Sequence, residues 1–398
     1  MTPPTPSRGS SALFSALPVL FPLTLTSFLA ILAIGIPLPV LPVRVHDGLG
    51  FGAVMVGAVV GSQSLVTVLT RGATGHLVDL RGARFAVLAG LPLAALAGVT
   101  YLASLAIAAP TLSLAVLVAG RMILGLAESL FITGILTWGI GRIGPAGTGL
   151  VMGWNGIAVS GALAVGAPVG VFMQQSFGFA GVALLSTLCP LAALLIALTV
   201  PGVARAPAGT APRLPFRTVV GLIWRHGLVL ALSTAPFALI GSFIVLAFAE
   251  RGWPGAGLAL TLYGGGFILV RVLFAHLPDR FGGAAVTLAS LAVEGVGQML
   301  IWSAPHVSVA LVGAALTGAG FSLVFPAMGV EAVRRVPRES QGVAIGSFVA
   351  FLDIAQGLTG PLAGLMVARA GFSAVFLAGA AACAVAIAVA LTLRGRPG

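Results

Sequence analysis

The sequence predicts an all-α membrane protein with twelve transmembrane helices in two six-helix halves. Composition, run lengths and an internal repeat carry that prediction. Of 398 residues, 59% are hydrophobic and only 7% are charged, and the mean hydropathy is +1.13. A soluble domain carries about 25% charged residues. A chain this apolar cannot cover a water-facing surface. That excludes a cytosolic enzyme, a secreted disulfide scaffold and a disordered regulator. All 20 basic residues are Arg, with no Lys. A P-loop ATPase and a Schiff-base enzyme both need Lys and are excluded as well. The net charge of +11 comes from Arg scattered along the chain, not from the patch a nucleic-acid binder needs. Cys189 and Cys383 each lie in an apolar run and read as small core residues.

A membrane-crossing helix needs about 20 mostly apolar residues. Twelve such runs stand between charged or Pro/Gly-rich breaks: 19–42, 51–71, 85–106, 111–135, 148–173, 179–200, 228–249, 257–277, 284–303, 307–330, 341–367 and 371–393. The first is too long for a signal peptide and eleven more follow it. Residues 1–18 open on a Pro/Ser/Thr-rich stretch and are expected to be disordered. The longest polar break, 201–227, holds Arg205, Arg213, Arg217, Arg225 and four Pro. It reads as a linker between an N-terminal half, 19–200, and a C-terminal half, 228–393, with a short tail at 394–398.

Arg in the loops orients the chain. With the N-terminus in the cytoplasm, sixteen Arg fall on the cytoplasmic side. Three, Arg44, Arg251 and Arg369, fall outside, and Arg121 lies within a span. Both termini are therefore expected inside, in a bacterial inner membrane. The expected partners are the lipid bilayer and a small-molecule substrate, with no nucleic acid, and the protein is expected to be monomeric.

Two signatures repeat. Arg71, His76, Leu77, Asp79 and Gly82 recur as Arg271, His276, Leu277, Asp279 and Gly282, at an offset of 200. Gly149, Gly153, Pro168, Met173, Gly178 and Phe179 recur as Gly342, Gly346, Pro361, Met366, Gly371 and Phe372, at an offset of 193. The first closes the second helix of each half and the second covers the fifth. Two parallel six-helix repeats are one of the known transporter architectures.

These residues also carry a family resemblance. Gly75-His-Leu-Val-Asp79-Leu-Arg81-Gly82-Ala-Arg84 resembles the major facilitator motif between helices 2 and 3, with its base displaced by one. Arg121-Met-Ile-Leu-Gly125 resembles the exporter motif of helix 4, with Leu124 in place of Gln. Gly161–Gly170 resembles the antiporter motif of helix 5, with Ala167 before Pro168 and a single terminal Gly. Segments such as Ser129–Gly141, Ala319–Ala327 and Leu358–Gly364 resemble the YhhS/YfcJ group of bacterial inner-membrane proteins. The resemblance spans nearly the whole chain. It implies the major facilitator fold and export of a small organic solute by proton antiport, through alternating access. Sugar-like uptake or facilitated diffusion is the alternative. A membrane receptor or enzyme is a distant third, since no H-E-x-x-H, G-x-S-x-G or C-x-x-C signature occurs. No cofactor is expected beyond the proton itself, and no metal.

Three acids fall inside spans: Glu128, Glu294 and Asp353. A charged acid at the bilayer centre costs about 2.5–3.5 kcal/mol, so each should face the interior, be protonated or be paired. Arg121 and Glu128 share a face of span 4, about 10 Å apart along the axis. With Asp353 and Glu294 they are the proton-coupling candidates, and Glu128 or Asp353 is the expected counter-ion of Arg121. Glu294, in span 9, suits a structural role as well. Gln63, Trp154, Asn155, Tyr263 and Gln356 are the substrate-binding candidates, offering hydrogen bonds and aromatic faces. Arg71, Gly75, Asp79, Arg81 and Arg84, with Arg271, Asp279 and Arg280, form an expected cytoplasmic gate whose ion pairs break as the halves rock. His76 and His276 lie in the same loops and read as solvated or capping side chains. Gly166, Pro168 and Gly170, with Gly360, Pro361 and Gly364, are the expected close-packed helix seam, where small residues let backbones approach.

Overall fold

The computed structural model describes residues 8–51, 53–203 and 214–393. Among these the chain is helical apart from short connections, and no strand occurs. It divides into two compact units. The first comprises Met1–Gly147 and Trp154–Gly209, the second Thr148–Gly153 and Thr210–Gly398.

The first unit contains α1 (Arg8–Gly35), α2 (Leu41–Val43), α3 (Ala53–Arg81), α4 (Ala83–Leu105), α5 (Pro110–Ile143) and most of α6 (Thr148–Thr199). Local chemistry sets the ends. Pro110 opens α5 at a position where its missing N–H costs nothing, and Gly144 ends it at φ 96°. The 52 residues of α6 would span about 78 Å as one helix. That is over twice the hydrocarbon thickness of about 30 Å. Its non-helical residue is Gly178, at φ 64° and ψ −169°, so α6 is two crossings joined by one glycine. The break falls between the expected runs 148–173 and 179–200. Glycines then set the packing distances. A Cβ on Gly90 would sit 3.0 Å from the Ala127 carbonyl, and one on Gly134 the same distance from the Ala83 carbonyl, so α4 lies backbone-close to α5.

The second unit contains α7 (Phe216–Glu250), α8 (Ala256–Phe274), α9 (Leu277–Phe281), α10 (Gly283–Ser303), α11 (Val307–Arg334) and α12 (Gln341–Leu391). The 51-residue α12 bends at Gly371, φ 75° and ψ 172°, the repeat partner of Gly178. Gly282 at φ 84°, ψ 146° likewise repeats Gly82 at φ 91°, ψ 152°. The internal repeat of the sequence is thus a repeat of backbone conformation. Among the described residues, ten helical stretches are long and apolar enough to cross a membrane by length and composition. Thr148–Thr199 is one of the ten, so the expected twelve crossings need both of its segments and the 29-residue α3.

Two boundaries differ from expectation. The helix α1 begins at Arg8, ahead of the expected first span; residues 1–7 lie outside the described residues. The helix α7 begins at Phe216, inside the expected linker, because Val219, Ile223, His226 and Leu230 form one buried helical stripe despite Arg217 and Arg225. The remainder of that linker, 204–213, and the tail 394–398 lie outside the described residues.

Candidate functional site

The polar interior of the first unit is built on a seam between α3 and α5. Arg121, Gly125 and Glu128 share one face of α5, at i, i+4 and i+7, and meet Val60, Gln63 and Thr67 at i, i+3 and i+7 of α3. Gly125 makes the approach possible, since a Cβ there would lie 2.3 Å from the Gln63 carbonyl oxygen. Across this contact Gln63 Nε2 donates to Glu128 Oε2 at 2.9 Å, and Thr67 Oγ1 lies 3.1 Å from the same oxygen. The Thr67 hydroxyl also reaches the carbonyls of Gln63 at 3.0 Å and Gly125 at 3.1 Å. It carries one proton, so it shares it among these acceptors. Glu128 is half-buried.

The expected pairing of Arg121 with Glu128 is not formed. Arg121 Nη2 donates instead to the Val60 carbonyl at 3.2 Å. Two helical turns separate the residues, and the partners of each come from different turns of α3. Sequence spacing gives the shared face but not the neighbouring helix that satisfies it. Asn155 accepts from Ser27 Oγ at 2.8 Å, tying α6 to α1, and Gln63 is engaged in the seam through its amide nitrogen, while its Oε1 has no hydrogen-bond partner. Trp154 is half-buried and Gln356 exposed.

In the second unit, Asp279 on α9 caps the start of α6. Its Oδ1 and Oδ2 accept the backbone N–H groups of Gly149 and Leu150, each at 3.2 Å. A carboxylate at a helix N-terminus meets both unpaired donors and the positive end of the dipole. Burial nevertheless raises the Asp279 pKa above the ordinary value; the two backbone hydrogen bonds and the Arg334 charge oppose that rise. Arg271 is buried, donates from Nε to Ser322 Oγ at 3.3 Å and stacks on Phe267 at 4.8 Å. Arg71 is buried, and Gly75 with it, while Asp79 is half-buried. Arg81 and Arg280 stack on Phe85 and Phe281, each at 5.1 Å. Arg84 donates to the Leu198 carbonyl at 3.2 Å, at the C-terminal end of α6. Arg142 and Trp138 donate to the Pro201 carbonyl just beyond.

Glu294 stands deep within the second unit, 0% exposed. Its Oε2 accepts from Ser233 Oγ at 2.6 Å. One turn on, Gln298 donates to Thr317 Oγ1 at 3.2 Å. Apart from the Cys383 thiol beside the carboxyl, Glu294 Oε1 has no hydrogen-bond partner, and neither has Gln298 Oε1. Tyr263 donates to the Phe237 carbonyl at 3.0 Å and belongs to an aromatic cluster with Phe237, Phe267 and Phe321. Asp353 is half-buried on α12.

The glycines divide. Gly166 and Gly170 press on Gly35, the last residue of α1, and on Ile36 just beyond it, within the first unit; a Cβ on Gly170 would run into the Ile36 carbonyl oxygen. A Cβ on Gly360 or Gly364 would meet no described atom within 4 Å. The close packing at Gly166 and Gly170 is therefore packing within the first unit. Pro168 lies within α6, and the Pro361 side chain lies outside the described residues.

Thr67, Ser233 and Gln298 complete these networks, and Tyr101 stands beside Arg121; sequence reasoning does not single them out. Gln298, four residues after Glu294, and Tyr101, one of two tyrosines in the chain, were the available signals.

The family model described as Major Facilitator Superfamily matches residues 23–256 and 249–398. An uncharacterized MFS-type transporter of Salmonella typhimurium is 46% identical over 378 residues, covering 94% of this chain and 96% of that protein. Among solved structures, the human organic anion transporter MFSD10 superposes with a TM-score of 0.79 at 18% identity, over 94% of this chain and 99% of that one. The fucose:proton symporter FucP of E. coli does so at 0.77 and 16%, over 96% and 100%.

Proposed function

The chain belongs to the major facilitator superfamily and is a multi-pass membrane transporter, and from that premise we propose that it exports a small organic solute by alternating access, driven by proton entry. Glu128 carries the reading. It is a half-buried carboxyl at mid-helix, held by the neutral donors Gln63 and Thr67, and so suited to taking up and releasing a proton as its surroundings change. Asp353 is the second coupling acid. A proton crossing 100 mV yields about 2.3 kcal/mol for the cycle. Trp154 and Gln356 offer polar and aromatic contacts to the solute. The loop groups around Asp79 and Asp279 form the cytoplasmic gate, in a bacterial inner membrane with both termini inside.

The test is solute flux in proteoliposomes under an imposed pH gradient. Glu128→Gln and Asp353→Asn should each cut gradient-driven flux at least about tenfold, the equivalent of ~1.4 kcal/mol, while expression stays intact. Retained flux in both variants would refute the coupling assignment. The likeness to a fucose:proton symporter favours a second reading, uptake of a sugar-like solute together with protons. The sign of the flux in the same vesicles decides between them.

A further inference from the structure

Arg121 is 2% exposed and Tyr101, on the adjacent α4, is 0% exposed. The guanidinium and the phenol lie next to each other. Gly120 permits this, because a Cβ there would come within 2.9 Å of the Tyr101 ring. The guanidinium donates from Nη2 to the Val60 carbonyl. Beyond the Arg121–Tyr101 contact itself, Arg121 Nε, Arg121 Nη1 and the Tyr101 hydroxyl have no hydrogen-bond partner. A guanidinium has five N–H donors and no acceptor, and the phenol can donate as well. What this cluster lacks is therefore an acceptor, and a negative one, since a buried cation without a counter-charge is strongly disfavoured. The nearest acid along α5, Glu128, gives its Oε2 to Gln63 and Thr67, about 10 Å further along the axis. Glu294 and Gln298 present the opposite case in the second unit, where the unpartnered atoms are the acceptors Oε1 of each.

We propose that Arg121 and Tyr101 bind a small monovalent anion between α3, α4 and α5 of the first unit. Its charge is that of an inorganic ion such as chloride or of a carboxylate on the transported solute. A water molecule would supply an acceptor but leave the charge uncompensated. The proposal goes beyond proton coupling and does not depend on it.

The test reads thermal unfolding of the purified full chain in detergent at constant ionic strength, with no pH gradient. Potassium chloride replaces the bulky potassium isethionate in one arm. In the other, benzoate is compared with its neutral analogue benzamide. Wild type should be stabilised by chloride or benzoate but not by benzamide. Tyr101→Phe, which removes one hydroxyl, should raise the half-saturating concentration about tenfold, as expected for one hydrogen bond to a charged group. Arg121→Gln should abolish the response. Stabilisation by chloride alone identifies a resident inorganic ion; stabilisation by benzoate that chloride suppresses identifies the solute's carboxylate. No anion response in wild type, or an unchanged half-saturation in Tyr101→Phe, overturns the proposal even where Arg121→Gln does not fold. Because the measurement is at equilibrium, a failure of coupling in Glu128→Gln leaves it intact.

Discussion

Glu128 and Arg121 share a helix face, yet each bonds to a different turn of α3. The sequence showed both as costly intramembrane charges and placed them on one face. It could not show which neighbour faces them, because that depends on Gly125 drawing α3 against α5. Gly125→Ala should therefore push the seam apart and cost about 1–3 kcal/mol through overpacking. It would be seen as a lower unfolding midpoint in detergent; an unshifted midpoint would mean the seam yields easily. Asp279 permits a pH prediction. Burial raises its pKa in the fold, so its stability contribution is complete below the ordinary aspartate value of about 3.9. That contribution falls as pH rises through the higher folded value. Relative to Asp279→Asn, wild type should lose stability as pH is raised from about 4. A constant difference between the two across pH would contradict this.

At the scale of elements, side chains from neighbouring helices fix helix ends. Arg251, at the end of α7, donates to the carbonyls of Ile301 and Trp302 on α10 and to Ser373 Oγ on α12, and stacks on Trp253 at 4.7 Å. Three helices of the second unit are joined by one guanidinium. Arg251→Ala should destabilise by about 1–3 kcal/mol, with Arg251→Lys recovering little because a point charge cannot reproduce the planar fork. Comparing the unfolding midpoints of both variants checks this. Run lengths made most spans legible, and the start of α7 was hidden for a physical reason. Arg217 and Arg225 make 216–227 polar on average, while every third or fourth residue is buried. An average over the window conceals a face.

For the whole molecule, the repeat was the most legible feature because it rests on residue identity at fixed offsets. The structure adds why those identities recur: Gly82 and Gly282, Gly178 and Gly371 hold matching positive φ values. A Cβ on Gly178 would touch nothing within 4 Å, so its requirement for glycine is conformational. A residue with a side chain there costs roughly 1–3 kcal/mol, and Gly178→Ala should lower the unfolding midpoint accordingly. The single-residue turn at Gly178 also meters the length of chain between two crossings. A loop absorbs an insertion, but this junction cannot. One residue added after Gly178 would rotate the following helix by about 100°. Phe179, Val182, Ala183 and Ser186 would leave their buried positions, and Thr187 would leave Gly98 of α4. An insertion scan of the chain should therefore find position 178 closed to even one extra residue.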